Sequence, residues 1–253
     1  MNEARIAHEA RATYEAGAAR EARRAVGLIT ADTSPTLLAV LAHARVDFVV
    51  LDAEQTPLDV QACAGAVQRL RGTGVRVSVR VPDLEPNTLV AFANTGVDEL
   101  VLPHLRSVGE LERAREAIAY APRGLRSRQV SPASGFGTDF SREPVLSVLF
   151  ETVDAVAEAE GFAACEAFGG GWLGPTDLAA DLQRDGRSAP DYLDKAMQSV
   201  VETLRGAGHS VGLPAPSMAR ANEVFARGAD RCAVYWEREL ATLLAGFVAS
   251  QSA

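Results

Sequence analysis

Gly169-Gly170-Gly171-Trp172-Leu173-Gly174-Pro175-Thr176-Asp177-Leu178 is the stretch whose reading decides the fold. It reads as a short buried strand that ends in a tight Gly-Pro turn and delivers an acid past its carboxyl end. The glycines let backbone pass close to a neighbour, and Pro175 stiffens the turn. The same design recurs upstream. Leu146-Ser147-Val148-Leu149-Phe150-Glu151-Thr152 is largely apolar until it closes on Glu151, and Phe48-Val49-Val50-Leu51 runs into Asp52-Ala53-Glu54-Gln55-Thr56.

Working outward, the pattern repeats along the chain. Ala25 to Thr30 is a compact apolar strand, and Asp32-Thr33-Ser34-Pro35 offers cap and first-turn residues for a helix to Ala44. A helix from Asp59 to Leu70 stops at Gly72 and Gly74. Strand three, Val75 to Val81, carries Arg80; after a helix from Pro86 to Asn94, strand four, Glu99 to Leu102, closes on Pro103-His104. Further helices are expected over 108–120, 191–206, 217–227 and 237–250, with strands over 210–213 and 231–235. The strands are apolar rather than strictly alternating, as parallel strands covered on both faces are. About eight such units in roughly 225 residues argue for an α/β fold of the closed (β/α)8 TIM barrel type. No Gly-x-Gly-x-x-Gly follows the first strand, which weakens the doubly wound alternative. Residues 1–24, rich in Ala, Glu and Arg, read as an extra N-terminal helix outside the core, leaving 25–253 as a single barrel domain. The irregular segment 121–144 has the length of a lid or binding loop.

Composition sets the bounds. A chain of 253 residues, 47% apolar, suffices for one large core. No run of about 18 apolar residues argues for a membrane span. The first 24 residues lack the apolar stretch of a secretory signal, so a cytoplasmic address is expected. Cys63, Cys165 and Cys232 have neither metal-ligand nor redox spacing and read as small buried hydrophobes. A net charge of −8 with scattered basic residues argues against nucleic acid as a partner, yet allows a local cationic pocket for an anionic metabolite.

In a barrel, chemistry gathers where strands end. That rim collects Asp52, Glu54 and Gln55 after strand two, Arg80 on three, His104 after four, Glu151 after five, Asp177 after six and Leu213 on seven. Glu151 and Asp177, if they converge, make an oxygen-rich site for a hard divalent cation. Arg80 offers a cation to a carboxylate. Singly, each is as readily a satisfied polar group; three charged groups sharing one rim point to chemistry. Trp172 lies close enough to the Gly-Pro turn to line a pocket there, and Trp236 is read as packing.

Six segments, taken in order, carry a resemblance. They are Leu51-Asp52-Ala53-Glu54-Gln55-Thr56, Val77-Ser78-Val79-Arg80-Val81-Pro82, Val101-Leu102-Pro103, Tyr120-Ala121-Pro122-Arg123-Gly124-Leu125-Arg126, Phe150-Glu151-Thr152 and Gly174-Pro175-Thr176-Asp177-Leu178-Ala179. Together they resemble the class II pyruvate aldolases typified by 4-hydroxy-2-oxoheptanedioate aldolase and 2-dehydro-3-deoxyglucarate aldolase, with citrate lyase-like relatives, from Gly27 to Leu244. The resemblance implies a barrel whose C-terminal helix is exchanged between subunits of a homo-oligomer, a trimer or hexamer. It implies a divalent metal, Mg2+ first, with Mn2+ or Co2+ as substitutes. The implied reaction makes or breaks a C–C bond beside pyruvate, with a 2-oxo acid and an aldehyde as small-molecule partners. Carried over, Glu151 and Asp177 are the metal ligands, and Arg80 holds the pyruvyl group. Backbone at Gly174, Pro175 and Thr176 cradles the substrate carboxylate, with Leu213 and Trp172 beside it. The catalytic set is Arg80, Asp52, Glu54, Gln55 and His104.

This chain departs from the family at telling places. Asp52-Ala53-Glu54-Gln55 stands where the family reads Asp-Gly-Glu-His, and a glutamine amide cannot shuttle protons near neutral pH. Leu149 replaces the usual glutamine, and the loop after Arg126 lacks the usual small-residue pattern. Three repairs for the absent histidine stay open: His104 as base, metal-bound hydroxide, or a reaction that needs no base, such as decarboxylation of a 2-oxo diacid. The sequence thus reads as a divalent-metal-dependent carbon–carbon lyase or aldolase. A decarboxylase, a specialised condensing enzyme and a catalytically silent ligand-binding barrel are the alternatives.

Overall fold

Each strand of the computed structural model, which describes residues 24–186 and 190–251, sends alternate side chains to opposite faces. The strands are β1 (Ala25–Thr30), β2 (Phe48–Asp52), β3 (Arg76–Arg80), β4 (Glu99–Leu102), β5 (Val145–Phe150), β6 (Gly170–Leu173), β7 (Val211–Pro214) and β8 (Arg231–Tyr235). All pair in parallel with their sequence neighbours, and β8 closes back on β1 in a complete barrel. Around it lie α1 (Pro35–Ala44), α2 (Val60–Leu70), α3 (Pro86–Asn94), α4 (Val108–Ile118), α5 (Val153–Ala157), α6 (Ala159–Ala164), α7 (Pro175–Arg184), α8 (Pro190–Gly206), α9 (Ala221–Ala226) and α10 (Trp236–Ser250). The closed barrel is the architecture expected from the strand spacing. The N-terminal helix expected over 1–24 lies outside the described residues apart from Arg24.

The outward set (Val49, Leu51, Val77, Val79, Leu100, Leu102, Val148, Phe150, Leu173, Leu213, Val234) packs against the helices in one continuous apolar layer. The inward set forms three storeys. At the amino-terminal end lies a polar network: Glu99 accepts from Arg231 Nη1 at 2.7 Å, from Ser78 Oγ at 2.5 Å, from Ser147 Oγ, and from Trp172 Nε1 at 3.3 Å. Arg231 also donates to the Gly171 carbonyl and stacks over the Trp172 ring. Above it sits an apolar plug of Ile29, Phe48, Val50, Val101, Leu149, Trp172 and Ala233, with Phe48 and Trp172 edge to face at 5.6 Å. Gly212 leaves room for the plug, since a Cβ there would come within 2.3 Å of the Trp172 ring. The third storey, at the carboxyl end, carries the charged rim.

Two expectations are corrected. Gly174-Pro175-Thr176-Asp177 is not a free turn but the start of α7: Gly174 is its N-cap, Pro175 its first residue, and Asp177 lies in its first turn. The segment 121–144 is no lid over the rim. It joins the end of α4 to the start of β5, so it returns to the amino-terminal face, where Arg126 donates to Asn94 Oδ1 at 2.7 Å and Arg142 meets Asp98 at 3.4 Å.

The first turn of α10 is tied to the barrel through Glu237, which accepts from Thr30 Oγ1 at 2.6 Å, and Glu239, which accepts from Met218 N at 3.2 Å. Beyond it, Leu240, Leu243, Leu244, Phe247 and Val248 share one helical face and are exposed, four of the five by more than half.

Burial alone would raise the Glu99 carboxyl, but the Arg231 charge and the Ser147 and Ser78 hydroxyls outweigh it and hold the group down to about 2. An unfolded glutamate titrates near about 4.3, so this contribution is complete above that pH and is lost as pH falls toward the folded value. Glu99→Gln, which leaves Arg231 unpaired, should cost about 3 kcal/mol or more at pH 7 and flatten the acid limb of stability. Urea midpoints measured across the acid range check both; an unchanged acid slope would contradict the assignment.

Candidate active site

The rim follows from strand parity: the residues in register with the plug but one step further along face the barrel axis. On β2 that residue is Asp52, on β3 Arg80, after β5 Glu151 and on β8 Tyr235. Arg80, Glu151 and Tyr235, with Asp177, Trp172, Gly174 and Arg238, line a cavity of about 250 Å³ at the carboxyl end, floored by Ile29, Val50, Val101 and Leu149, while Asp52, Glu54 and His104 stand outside its lining.

Arg80 is held on two sides. Its Nε and Nη2 donate to Asp52 at 3.0 and 2.6 Å, and its Nη1 lies 3.0 Å from Glu54 Oε2. Asp52 Oδ1 also accepts from the backbone N–H groups of Glu54 and Gln55, both at 3.2 Å, which folds the β2 loop back over the rim. Burial lowers the Arg80 pKa, but the Asp52 hydrogen bonds and the charges of Asp52 and Glu54 raise it above the ordinary value, so the guanidinium is a permanent charge.

Glu151 is 1% exposed, and His104 binds it twice: the backbone N–H donates to Oε1 at 2.7 Å and Nδ1 lies 3.0 Å from the same oxygen. The backbone donation depends on His104 adopting φ 57°, a left-handed conformation that costs a non-glycine residue about 1 kcal/mol or more. The other ring nitrogen, Nε2, lies 2.9 Å from Glu54 Oε1, so one imidazole bridges two carboxylates. Glu54, His104 and Glu151 each offer an atom within 4.8 Å of the others, one way to hold a metal ion.

The remaining sequence-based candidates divide. Asp177, Gly174, Pro175, Thr176 and Trp172 line the cavity with Arg80 and Glu151. Gln55 does not: it is exposed, and its amide donates at 2.9 Å to Glu54 Oε1, the oxygen that His104 Nε2 also approaches. Leu213 is a correction, because parity on β7 turns Gly212 inward and sends the Leu213 side chain into the layer beneath the helices. Tyr235 and Arg238 were not singled out from sequence, although the strand-end rule, applied to strand eight, reaches Tyr235.

Known proteins similar to this chain give its family. Residues 25–239 match the model of the HpcH/HpaI aldolase/citrate lyase family. The chain belongs to that family. It is 31% identical over 216 residues to a 5-keto-4-deoxy-D-glucarate aldolase of Shigella dysenteriae, a match covering 83% of this chain and 84% of the relative. Among solved structures, a HpcH/HpaI aldolase/citrate lyase family protein from Burkholderia cenocepacia superposes with a TM-score of 0.82 at 24% identity, covering 95% of this chain and 98% of the other. A citrate lyase beta subunit from M. tuberculosis, complexed with oxaloacetate and magnesium, superposes with a TM-score of 0.57 at 20% identity, covering 85% and 92%. Family and relative make this chain an enzyme of the aldolase and lyase type acting on small molecules. No helix among the described residues is long and apolar enough to cross a membrane.

Burial raises the Glu151 carboxyl, and the charges of Glu54 and Asp177 add to it; the His104 N–H and ring oppose, leaving the group at about 7. Between the unfolded value of about 4.3 and the folded one, the native state binds the extra proton, so stability falls as pH rises through that window. Glu151→Gln should therefore raise the Tm of the protein in EDTA at pH 8 by a few degrees relative to wild type, on a scale of about 2–4 °C per kcal/mol, and by less at pH 5. Thermal unfolding at the two pH values checks this; a variant equally destabilised at both would refute it.

Proposed function

We propose that this family member is a divalent-metal-dependent carbon–carbon lyase of the aldolase type acting on a 2-oxo acid, with the ion held by Glu151 and Asp177. One observation carries the reading. Glu151 Oε2 is buried with no hydrogen-bond partner among the described residues, and it faces Gly174, where a Cβ would lie 3.2 Å away. A bare buried carboxylate oxygen costs about 1–3 kcal/mol or more, a cost that a cation removes. Asp177 brings a second carboxylate to the same cavity, and two such oxygens suit Mg2+, Mn2+ or Co2+. The citrate lyase subunit bound to oxaloacetate and magnesium supports that pairing of ion and substrate class.

When bound, the ion supplies a Lewis acid to the carbonyl of a 2-oxo acid. Arg80, already oriented by Asp52 and Glu54, keeps a fixed positive charge where negative charge grows during C–C cleavage; a well-placed donor of this kind contributes about 3 kcal/mol. The backbone at the start of α7 receives the substrate carboxylate at a helix N-terminus. Leu149, Val101 and Ile29 keep water from the floor. His104, whose ring approaches Glu151 at the cavity's edge, moves the proton with Glu54 beside its other nitrogen, since the Gln55 amide has no titratable group. The Glu54–His104–Glu151 group is the rival place for the ion.

Calorimetric titration with Mg2+ and Mn2+, paired with a retro-aldol assay, separates the two. Asp177→Ala should abolish both ion uptake and activity. His104→Asn should keep ion uptake while lowering kcat by about 10²–10⁴. Uptake that survives in Asp177→Ala and vanishes in His104→Asn would move the ion to the rival site.

We further infer that the exposed face of α10 is covered by a second copy of the chain in a homo-oligomer, because five large apolar side chains in one stripe are more than an isolated helix leaves in water. Sedimentation of the double variant Leu243→Glu, Phe247→Glu should show a smaller species than wild type. An unchanged sedimentation coefficient would reject the idea.

A further inference from the structure

Resting on the reading of the cavity as a 2-oxo acid site, we propose that Pro214-Ala215-Pro216, where β7 ends, and the Tyr235 ring form an apolar subsite for the other half of the substrate, which favours a hydrocarbon chain there over an oxygen-bearing one. The lining divides by strand. Arg80 on β3, Glu151 after β5, and Thr176 and Asp177 at the start of α7 give one arc its polar side chains. The arc from β7 to β8 presents Pro214, Ala215, Pro216 and Tyr235, and its one charged side chain, Arg238, stands at the exposed start of α10 with its head in solvent.

A substrate oxygen brought against this second arc must exchange its water for a donor, and the backbone there has none to give. Pro214 and Pro216 lack an N–H, and their rings fix the chain between them. The Ala215 N–H is spent on the Ala233 carbonyl, at 2.7 Å, and the Ala215 carbonyl is taken by Arg238 Nη2, at 3.1 Å. Strand parity turns the half-buried Tyr235 ring into the cavity beside them. Below lies the floor of Ile29, Val50, Val101 and Leu149, so a chain in this corner meets carbon from the side and from beneath. A cavity of about 250 Å³ has room for a short chain beyond a pyruvyl unit. Each methylene seated there leaves water for an apolar surface, whereas an oxygen in its place loses hydration without return.

Equilibrium binding of pyruvate, 2-oxobutanoate, 2-oxopentanoate and 2-oxohexanoate in the presence of Mg2+ tests this, with 4-methoxy-2-oxobutanoate as the oxygen-bearing isostere of the last. Affinity should rise about fourfold with each methylene. The isostere should bind about tenfold or more weakly than 2-oxohexanoate. Measured against each variant's own affinity for pyruvate, Tyr235→Ser should flatten the rise and Tyr235→Phe should keep it, because the ring and not the hydroxyl covers the chain. A level or falling series, an isostere bound as tightly as 2-oxohexanoate, or a rise that survives Tyr235→Ser in full would overturn the subsite, while pyruvate binding leaves the underlying reading intact. Failure to bind pyruvate at all would overturn both.

Discussion

Residues two apart on a strand face the same way, and in a closed parallel barrel that rule leaves each strand only two or three side chains with which to fill the axis. Every inward group of this protein obeys it. Glu99 and Val101 on β4, Ser147 and Leu149 leading to Glu151 on β5, and Arg231, Ala233 and Tyr235 on β8 climb the axis in steps. The polar network, the apolar plug and the charged rim are therefore one pattern. A single-residue slip of β2 or β5 would exchange a rim acid for its apolar neighbour, Leu51 for Asp52 or Phe150 for Glu151.

The rim is where this regularity becomes costly. Asp52, Glu54 and Glu151 converge in a space that water reaches poorly, and only Arg80 and His104 are positioned to answer them. Asp52 and Glu54 are matched to Arg80. Glu151 is matched on one oxygen only, and the strained backbone of His104 supports that match. The network at the opposite end differs in kind: Glu99 has a full complement of donors and is held ionised, as a structural pair is. Two buried glutamates on neighbouring strands are thus pushed in opposite directions by what surrounds them. The one left unsatisfied is the one at the cavity.

Much of this was legible in the sequence. The barrel followed from apolar strands closing on acids, and Glu151, Arg80 and Asp177 were found by asking what each strand delivers at its end. What escaped did so for physical reasons. The bridging role of His104 depends on a left-handed backbone that no pattern announces for a histidine. Gln55, adjacent to rim residues in sequence, stays out of the cavity lining because Asp52 holds its backbone N–H and Glu54 holds its amide. Leu213 was placed by its position at a strand end without the parity that sends it outward. The start of α7 reads in sequence as a tight turn because Gly-Pro marks a turn and a helix N-terminus equally well.

The plug has a topological consequence. Phe48, Trp172 and their neighbours seal the barrel between its two polar storeys, so the cavity is a cul-de-sac with a single doorway at the carboxyl end. Two reactants that meet in such a space must queue: the one seated nearer the floor enters first and departs last. Order of binding and release in a space so shaped is a property of the architecture, imposed by the rings that close it from below.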